Sequence, residues 1–346
     1  MSAILARMRA TVLHSPGDIR LDTLPDPDLE ADTDAIVRVV AACVCGSDLW
    51  PYRGLNKPQT EPHQIGHEHV GVVERVGSDV SALSVGDFVI APFMYSDNTC
   101  VHCRNGVQTS CVNGGGYTGC QAELVRVPQA DGTLVTVPGE VGDDLLPHVL
   151  ALTDVFPTGH HAAVSAGVTA GSTVVVVGDG AVGLSAVLAA KRLGASTVVA
   201  MSRHADRQAL ATEFGADHIV EKRDKEGAAE VREILDGIGA DAVLECVGTK
   251  ESMKQAFLSL RPGGTVGYVG VPHGVELNVP AMFGRNQGLA GGVAPVRAYL
   301  DELLPEVLSG DLRPGAVFDH TFALDEVADA YTAMDERTAI KALLRP

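Results

Sequence analysis

Apolar β-branched residues alternate with polar ones between residues 8 and 22 and again between 33 and 43, with Pro25 and Pro27 breaking the chain between the runs. A two-residue period predicts strands of an antiparallel or mixed sheet. Cys45-Gly-Ser-Asp-Leu-Trp50 then leaves the second run in a turn, and strands are predicted at His69 to Val76 and from Asp87 to Ala91. Gly66, Gly71, Gly77 and Gly86 punctuate this region, as short barrel strands require. No helix of good length is predicted before residue 140, so the first part of the chain reads as an all-β module.

Leu145 to Ala166 is the first helical stretch, with Asp154 near its middle. From Thr173 the periodicity alternates. Strands are predicted at Thr173–Val177, Thr197–Met201, His218–Val220, Ala242–Cys246 and Thr265–Val269, with helices centred on Leu188, Ala209, Val231 and Ala256. Such alternation means a parallel sheet covered by helices. Two amphipathic stretches, Val296–Leu308 and Asp325–Met334, and a strand at Ala339–Leu344 follow. The expected class is α/β, with a β-rich domain of residues 1–154 and 295–346 and a doubly wound domain of 155–294.

Composition narrows the function. A chain of 346 residues, 46% of them hydrophobic, is long enough for two domains with proper cores. Its net charge of −18 argues against a nucleic-acid partner, which needs a basic face. No run of 18 apolar residues exists, so no membrane span is expected. The N-terminal MSAILARMRATVLHS lacks an uninterrupted apolar core, and a cytoplasmic protein without a signal peptide is expected. Four of the seven cysteines fall between Cys100 and Cys120, a clustering that points to metal rather than disulfides.

The run TVVVVGDGAVG (173–183) places Gly178, Gly180 and Gly183 between a strand and a helix. In that context G-x-G-x-x-G fits a dinucleotide pyrophosphate. Gly178 makes the turn, Gly180, Ala181 and Val182 lie at the helix N-terminus, and Gly183 allows close packing. The alternative is an ordinary βα turn without nucleotide. The acid that would hold a ribose 2′-hydroxyl at the end of the second strand is replaced by Ser202, with Arg203, His204 and Arg207 close behind. Donors without a carboxylate favour NADP over NAD, the alternative being a solvated arginine on a turn. Cys246-Val247 and Val269-Gly270-Val271 end later strands, where an open sheet takes its ligands.

Cys45, His67-Glu68 and Asp154 are scattered in sequence, as suits a catalytic metal that keeps one position open. Singly, each has a bland reading as a core thiol or solvated acid. Together CVCGSD (43–48), GHEHVGVVERVGSDV (66–80), the cysteine cluster, TDVFPTGHHAA (153–163) and the glycine turn make the whole chain resemble the zinc-dependent medium-chain alcohol dehydrogenases. The Asp154 version is similar to bacterial secondary-alcohol and formaldehyde dehydrogenases.

The resemblance implies a GroES-like catalytic domain joined to a Rossmann domain, and a catalytic Zn²⁺ on Cys45, His67 and Asp154. Glu68 would be a fourth ligand or one that exchanges. It further implies that Ser47 accepts the alcohol proton, Asp48 orients the histidine ligand, and Lys341 lies near the pyrophosphate. Relatives carry a proton-passing histidine where Trp50 stands, so Trp50 is either a pocket wall or structural. His160 or His161, or the cofactor ribose, would then complete the relay.

Asp97-x-x-Cys100-x-x-Cys103, with Cys111 after seven intervening residues, has the close spacing of a structural zinc lobe. Relatives have Cys in place of Asp97; a carboxylate can complete such a site, and an eroded, metal-free lobe is the alternative. His102 breaks the spacing, and Cys120 reads as a packed thiol. The expected protein is a zinc-dependent, NADP-preferring alcohol dehydrogenase or carbonyl reductase, a homodimer or homotetramer. The alternatives are an NAD-linked polyol or formaldehyde-type dehydrogenase and a non-catalytic NADP-binding sensor or structural protein.

Overall fold

The computed structural model describes residues 7–55 and 61–346, so the reading of the first six residues lies outside it. Two compact units emerge, one of residues 1–154 and 295–346 and the other of 155–294.

The first unit opens with a hairpin, β1 (Arg7–Ser15) and β2 (Asp18–Pro25), in which Leu13 faces Ile19. The alternation predicted as one run from 8 to 22 is therefore two strands. Pro16-Gly17 turns the chain, Gly17 taking φ +74°, a conformation open to glycine. Next come β3 (Ala35–Cys43), the one-turn helix α1 (Leu49–Tyr52), β4 (His63–Gln64), β5 (His69–Val76) and β6 (Phe88–Ala91). The short pieces β7 (Met94–Tyr95), α2 (Val101–Arg104), β8 (Gly115–Gly116), β9 (Leu124–Val127), α3 (Ala130–Thr133) and β10 (Val135–Thr136) follow. No helix before residue 140 exceeds four residues among the described residues, as the pattern implied.

The predicted helix 145–166 is broken. It becomes α4 (Leu146–Leu150), a 3₁₀ turn at Ala151–Thr153, and α5 (Val155–Ser165), with which the second unit begins. Pro157 explains the break, because its ring would clash with the carbonyl of residue 153 in a continuous helix. That carbonyl accepts the Phe93 N–H at 3.3 Å instead, and the Thr153 hydroxyl ties back to the Leu150 carbonyl at 2.8 Å. Asp154 is left at the joint with φ −157° and ψ −65°, outside both helices.

In the second unit β11 (Thr173–Val177), α6 (Ala181–Arg192), β12 (Thr197–Met201), α7 (Ala205–Glu213), β13 (His218–Val220), α8 (Asp224–Ile234), β14 (Ala240–Glu245), α9 (Lys250–Ser259) and β15 (Leu260–Tyr268) alternate as predicted. Two further elements, α10 (Val279–Arg285) and β16 (Gly288–Gly291), extend the unit. The six strands are parallel in the order β13-β12-β11-β14-β15-β16, with the order reversing between β11 and β14. Val175, Val177, Val199, Val243 and Val266 fill its core. Fully covered strands read as unbroken β-branched runs for that reason.

The chain then returns to the first unit with α11 (Val296–Ser309), β17 (His320–Ala323), α12 (Val327–Asp335) and β18 (Ala342–Arg345). The main sheet there runs β10-β6-β5-β3-β18-β17, with β9 also on β3. Val37, Val39, Val73, Val89, Val125, Tyr331 and Leu344 share its core. Pairing of Ala42 with His69 and of Cys43 with Leu343 aligns the ends of three strands that are far apart in sequence.

Candidate metal centres and dinucleotide turn

That alignment builds the first centre. Cys45 leaves β3, His67 and Glu68 enter β5, and Asp154 sits at the break before α5. One donor atom from each lies within 4.8 Å of the others. Asp48 Oδ1 lies 3.4 Å from His67 Nδ1, and Asp154 Oδ2 lies 3.5 Å from Nε2. Asp48 is itself fixed, its Oδ2 accepting the Cys45 N–H at 2.9 Å and Gln121 Nε2 at 3.2 Å. Tyr331 in turn donates to Gln121 Oε1 at 3.1 Å. Gln121 and Tyr331 carry no local motif, and only the fold reveals them.

The electrostatics suit a cation. Burial presses the His67 imidazole toward its neutral form, yet Asp48, Cys45 and Asp154 hold its pKa well above the ordinary value. Burial and the Glu68 carboxylate push the Cys45 thiol up. Glu68 is fully buried; Oε1 accepts Lys341 Nζ at 2.7 Å and Oε2 has no hydrogen-bond partner among the described residues. A thiol, an imidazole and two carboxylates crowded together, with one buried oxygen unsatisfied, match the borderline-soft donor set of Zn²⁺.

Lys341, expected near the pyrophosphate, has a side chain 3% exposed, fastened to Glu68 and 3.3 Å from the Val44 carbonyl. The β18–β3 pairing forces this position. Ser47 is exposed beside the centre, its hydroxyl 3.2 Å from Cys45 Sγ. Trp50 is half-buried on α1. Cys120 is fully buried with its thiol toward the Glu68 carbonyl, as a packed thiol should be. His160 is buried in α5 of the second unit, stacked on Phe156, and its neighbour His161 is half-buried.

The second centre gathers Asp97, Cys100, Cys103 and Cys111, again with donor atoms within 4.8 Å. Asp97 Oδ1 accepts the Thr99 and Cys100 N–H groups at 2.8 and 3.0 Å, and Asn113 donates to Oδ2 at 2.7 Å. Despite some burial, these donors hold the carboxyl well below its usual range. Amide donors from the backbone of Cys103 and Val112 bring Cys100 down to about 7, toward the thiolate a metal needs. His102 is exposed and outside the quartet. Asn113 is a partner that the cysteine spacing alone did not suggest.

The glycine turn has the geometry its spacing predicts. Gly178 takes φ +118°, and a Cβ on Gly183 would lie 2.0 Å from the Gly178 carbonyl oxygen. A Cβ on Gly180 would meet nothing within 4 Å, so that face is open at the N-terminus of α6, where Ala181 and Val182 begin the helix. Val247 approaches Gly178, and Gly248 packs on Gly270 and Val271, which brings the ends of β11, β14 and β15 together. Cys246 and Val269 belong to the same strand ends, the Cys246 N–H bonding the Val177 carbonyl.

The end of β12 differs from expectation. Ser202 is 1% exposed, and its hydroxyl donates to Asp179 Oδ2 at 2.9 Å. Arg207 is buried and donates to the Asp179 carbonyl at 3.1 Å, bracing the turn. His204 caps α7, and Arg203 is exposed. A carboxylate therefore stands at this strand end after all, supplied by the glycine turn.

Fold and centres together define a β-rich unit with two metal-type quartets and a doubly wound unit with a dinucleotide turn. Residues 31–139 match the family described as "Alcohol dehydrogenase GroES-like domain", and 181–308 match "Zinc-binding dehydrogenase". A probable zinc-binding alcohol dehydrogenase of Mycobacterium tuberculosis is 37% identical over 98% of this chain and 89% of its own. An alcohol dehydrogenase from Thermus sp. ATN1 superimposes with TM-score 0.89 at 32% identity, covering 98% of this chain and 99% of that one. A zinc-binding dehydrogenase homologue of Sinorhizobium meliloti, solved bound to NADP, gives TM-score 0.82 at 27% identity over 99% and 100%. The chain belongs to the zinc-dependent medium-chain alcohol dehydrogenase family, with a GroES-like and a Rossmann fold. No described helix is long and apolar enough to cross a membrane.

Proposed function

We propose that the chain is a zinc-dependent alcohol dehydrogenase or carbonyl reductase that moves hydride between a secondary or primary alcohol and a nicotinamide cofactor, with NADP preferred. The observation that carries this reading is the Cys45, His67, Glu68 and Asp154 quartet. When bound, Zn²⁺ supplies a Lewis acid and NADP(H) supplies or takes the hydride.

The protein's own groups do the rest. Cys45, His67 and Asp154 would hold the zinc, with Glu68 as fourth or exchanging ligand. Asp48 faces His67 Nδ1 and so leaves Nε2 for the metal. Ser47 Oγ, exposed two residues from Cys45, receives the alcohol proton on oxidation and returns it on reduction. Asp97, Cys100, Cys103 and Cys111 would hold a second, structural zinc. The Gly178–Gly183 turn would take the pyrophosphate on free N–H groups of α6.

NADP preference is supported by Arg203 at the end of β12 and by the NADP bound to the Sinorhizobium homologue. A homo-oligomer is supported by β16, an edge strand among the described residues, and by exposed Phe283 and Val293 nearby in sequence. The test is a panel of secondary alcohols, primary alcohols and polyols with each of NADP and NAD. Zinc-dependent turnover with NADP on secondary alcohols is expected. NAD-linked turnover confined to polyols, or none, would overturn the reading.

A further inference from the structure

Asp179 is the second residue of the glycine turn, yet its side chain works at the end of the neighbouring strand. β11 and β12 are in register, Val177 opposite Met201, so the turn after one lies beside the residues that follow the other. Asp179 Oδ2 accepts the Ser202 hydroxyl at 2.9 Å and the Arg203 N–H at 3.2 Å. The third strand contributes a cation. β13 pairs Val220 with Met201, and three residues on Arg223 folds back with Nη2 3.4 Å from the Met201 carbonyl. Its Nη1 lies 3.2 Å from the Glu221 carbonyl. Partial burial and the nearby Arg203 guanidinium both lower the Arg223 pKa, while Asp179 opposes them. One carboxylate and two guanidiniums thus stand within electrostatic reach at the C-terminal ends of adjacent strands, beside the switch in strand order. An open parallel sheet takes the adenosine half of a dinucleotide at such ends.

We propose that Asp179 reads the 2′ position of the adenosine ribose. Its carboxylate accepts a free 2′-hydroxyl and repels a 2′-phosphate, while Arg203 and Arg223 attract the phosphate. The preference for NADP(H) is therefore held in check, and NAD(H) also binds. This rests on the dinucleotide reading of the second unit. Asp179 differs from the strand-end acid of NAD-binding folds in its origin: it comes from the phosphate turn and is aimed by Ser202.

The test is binding, not turnover. Dissociation constants of NADPH and NADH are measured by cofactor fluorescence on the whole chain, for the wild type, Asp179→Asn and Arg223→Gln. Asparagine keeps an acceptor for Ser202 and Arg203 and removes only the charge. The affinity ratio of NADPH over NADH should rise about tenfold or more in Asp179→Asn, about 1.4 kcal/mol, and fall by a similar factor in Arg223→Gln. Should the asparagine variant not fold, Asp179→Ser gives the same readout. A ratio unchanged in the Asp179 variants, with both cofactors still binding, overturns the proposal alone. Failure of the wild type to bind either dinucleotide overturns the dinucleotide reading with it.

Discussion

Lys341 Nζ donates to Glu68 Oε1 at 2.7 Å in a site where the two side chains are 3% and 0% exposed. The pair joins the chain just before β18 to the entry of β5 and holds one oxygen of a carboxylate that belongs to the metal quartet. Removing one partner of a buried pair leaves an uncompensated charge and costs about 3–5 kcal/mol.

Lys341→Met should therefore lower the Tm by more than about 5 °C, and adding Glu68→Gln should restore part of the loss. NADPH affinity should stay within about twofold, because the ammonium is committed to Glu68. Thermal unfolding and cofactor titration check both halves. A variant of normal Tm with weakened NADPH binding would contradict this and assign Lys341 to the pyrophosphate.

Gly183→Ala adds a single methyl, which would lie 2.0 Å from the Gly178 carbonyl oxygen. The first turn of α6 must move, and with it the N–H groups offered to the pyrophosphate. NADPH binding should weaken at least about tenfold. Gly180→Ala meets open space and should perturb the protein's own packing little. Titration of both variants gives the comparison, and equal affinity in wild type and Gly183→Ala would count against the turn.

His69 is fully buried against Tyr117, neither ring nitrogen has a hydrogen-bond partner among the described residues, and burial takes its pKa down to about 3. A depressed histidine pKa means that the unfolded chain binds the extra proton first. The stability contribution is complete above pH 6.5, the unfolded value, and is lost as the pH falls toward about 3. His69→Phe should flatten the acid loss by about 1.4 kcal/mol per pH unit between roughly pH 5.5 and 4. Parallel Tm curves for wild type and variant in that window would refute the assignment.

Cys100→Ser removes one sulfur from the second quartet while leaving the first intact. It should lower the Tm and release one zinc per chain, with kcat within about threefold of wild type because no reacting group is touched. Metal analysis beside a melting curve settles it. One zinc per wild-type chain would mean that the Asp97 lobe stands empty.

Much of this was legible because the physics was local. Thr173–Val177 and Thr197–Met201 are covered strands, so their β-branched runs carry their own boundaries. The glycine turn is likewise readable, since Gly178 takes φ +118° and Gly183 must clear the Gly178 carbonyl oxygen, both within six residues. Two errors had local causes that were present in the sequence. Pro16-Gly17 turns a run that looked continuous, and Pro157 stops a helix four residues upstream. β16, spelled Gly-Leu-Ala-Gly, lacks β-branched residues and is a strand through pairing with β15 alone. What could not be read depends on partners distant in sequence. Lys341 meets Glu68 across 273 positions, and Asp179 meets Ser202 across 23, by strand register. An acid absent from the expected position was supplied from the turn after the neighbouring strand, and no motif records that.

The central claim is a catalytic zinc on Cys45, His67, Glu68 and Asp154, and metal content read together with alcohol oxidation tests it most directly. Asp154 lies outside both flanking helices, so Asp154→Ala should fold normally. The wild type should hold two zinc ions per chain and oxidise a secondary alcohol with NADP. The variant should keep the lobe zinc, lose the other, and lose at least about a thousandfold in kcat/KM, a loss of about 4 kcal/mol in transition-state stabilisation. A folded Asp154→Ala protein that keeps both zinc ions and near wild-type turnover would contradict the account.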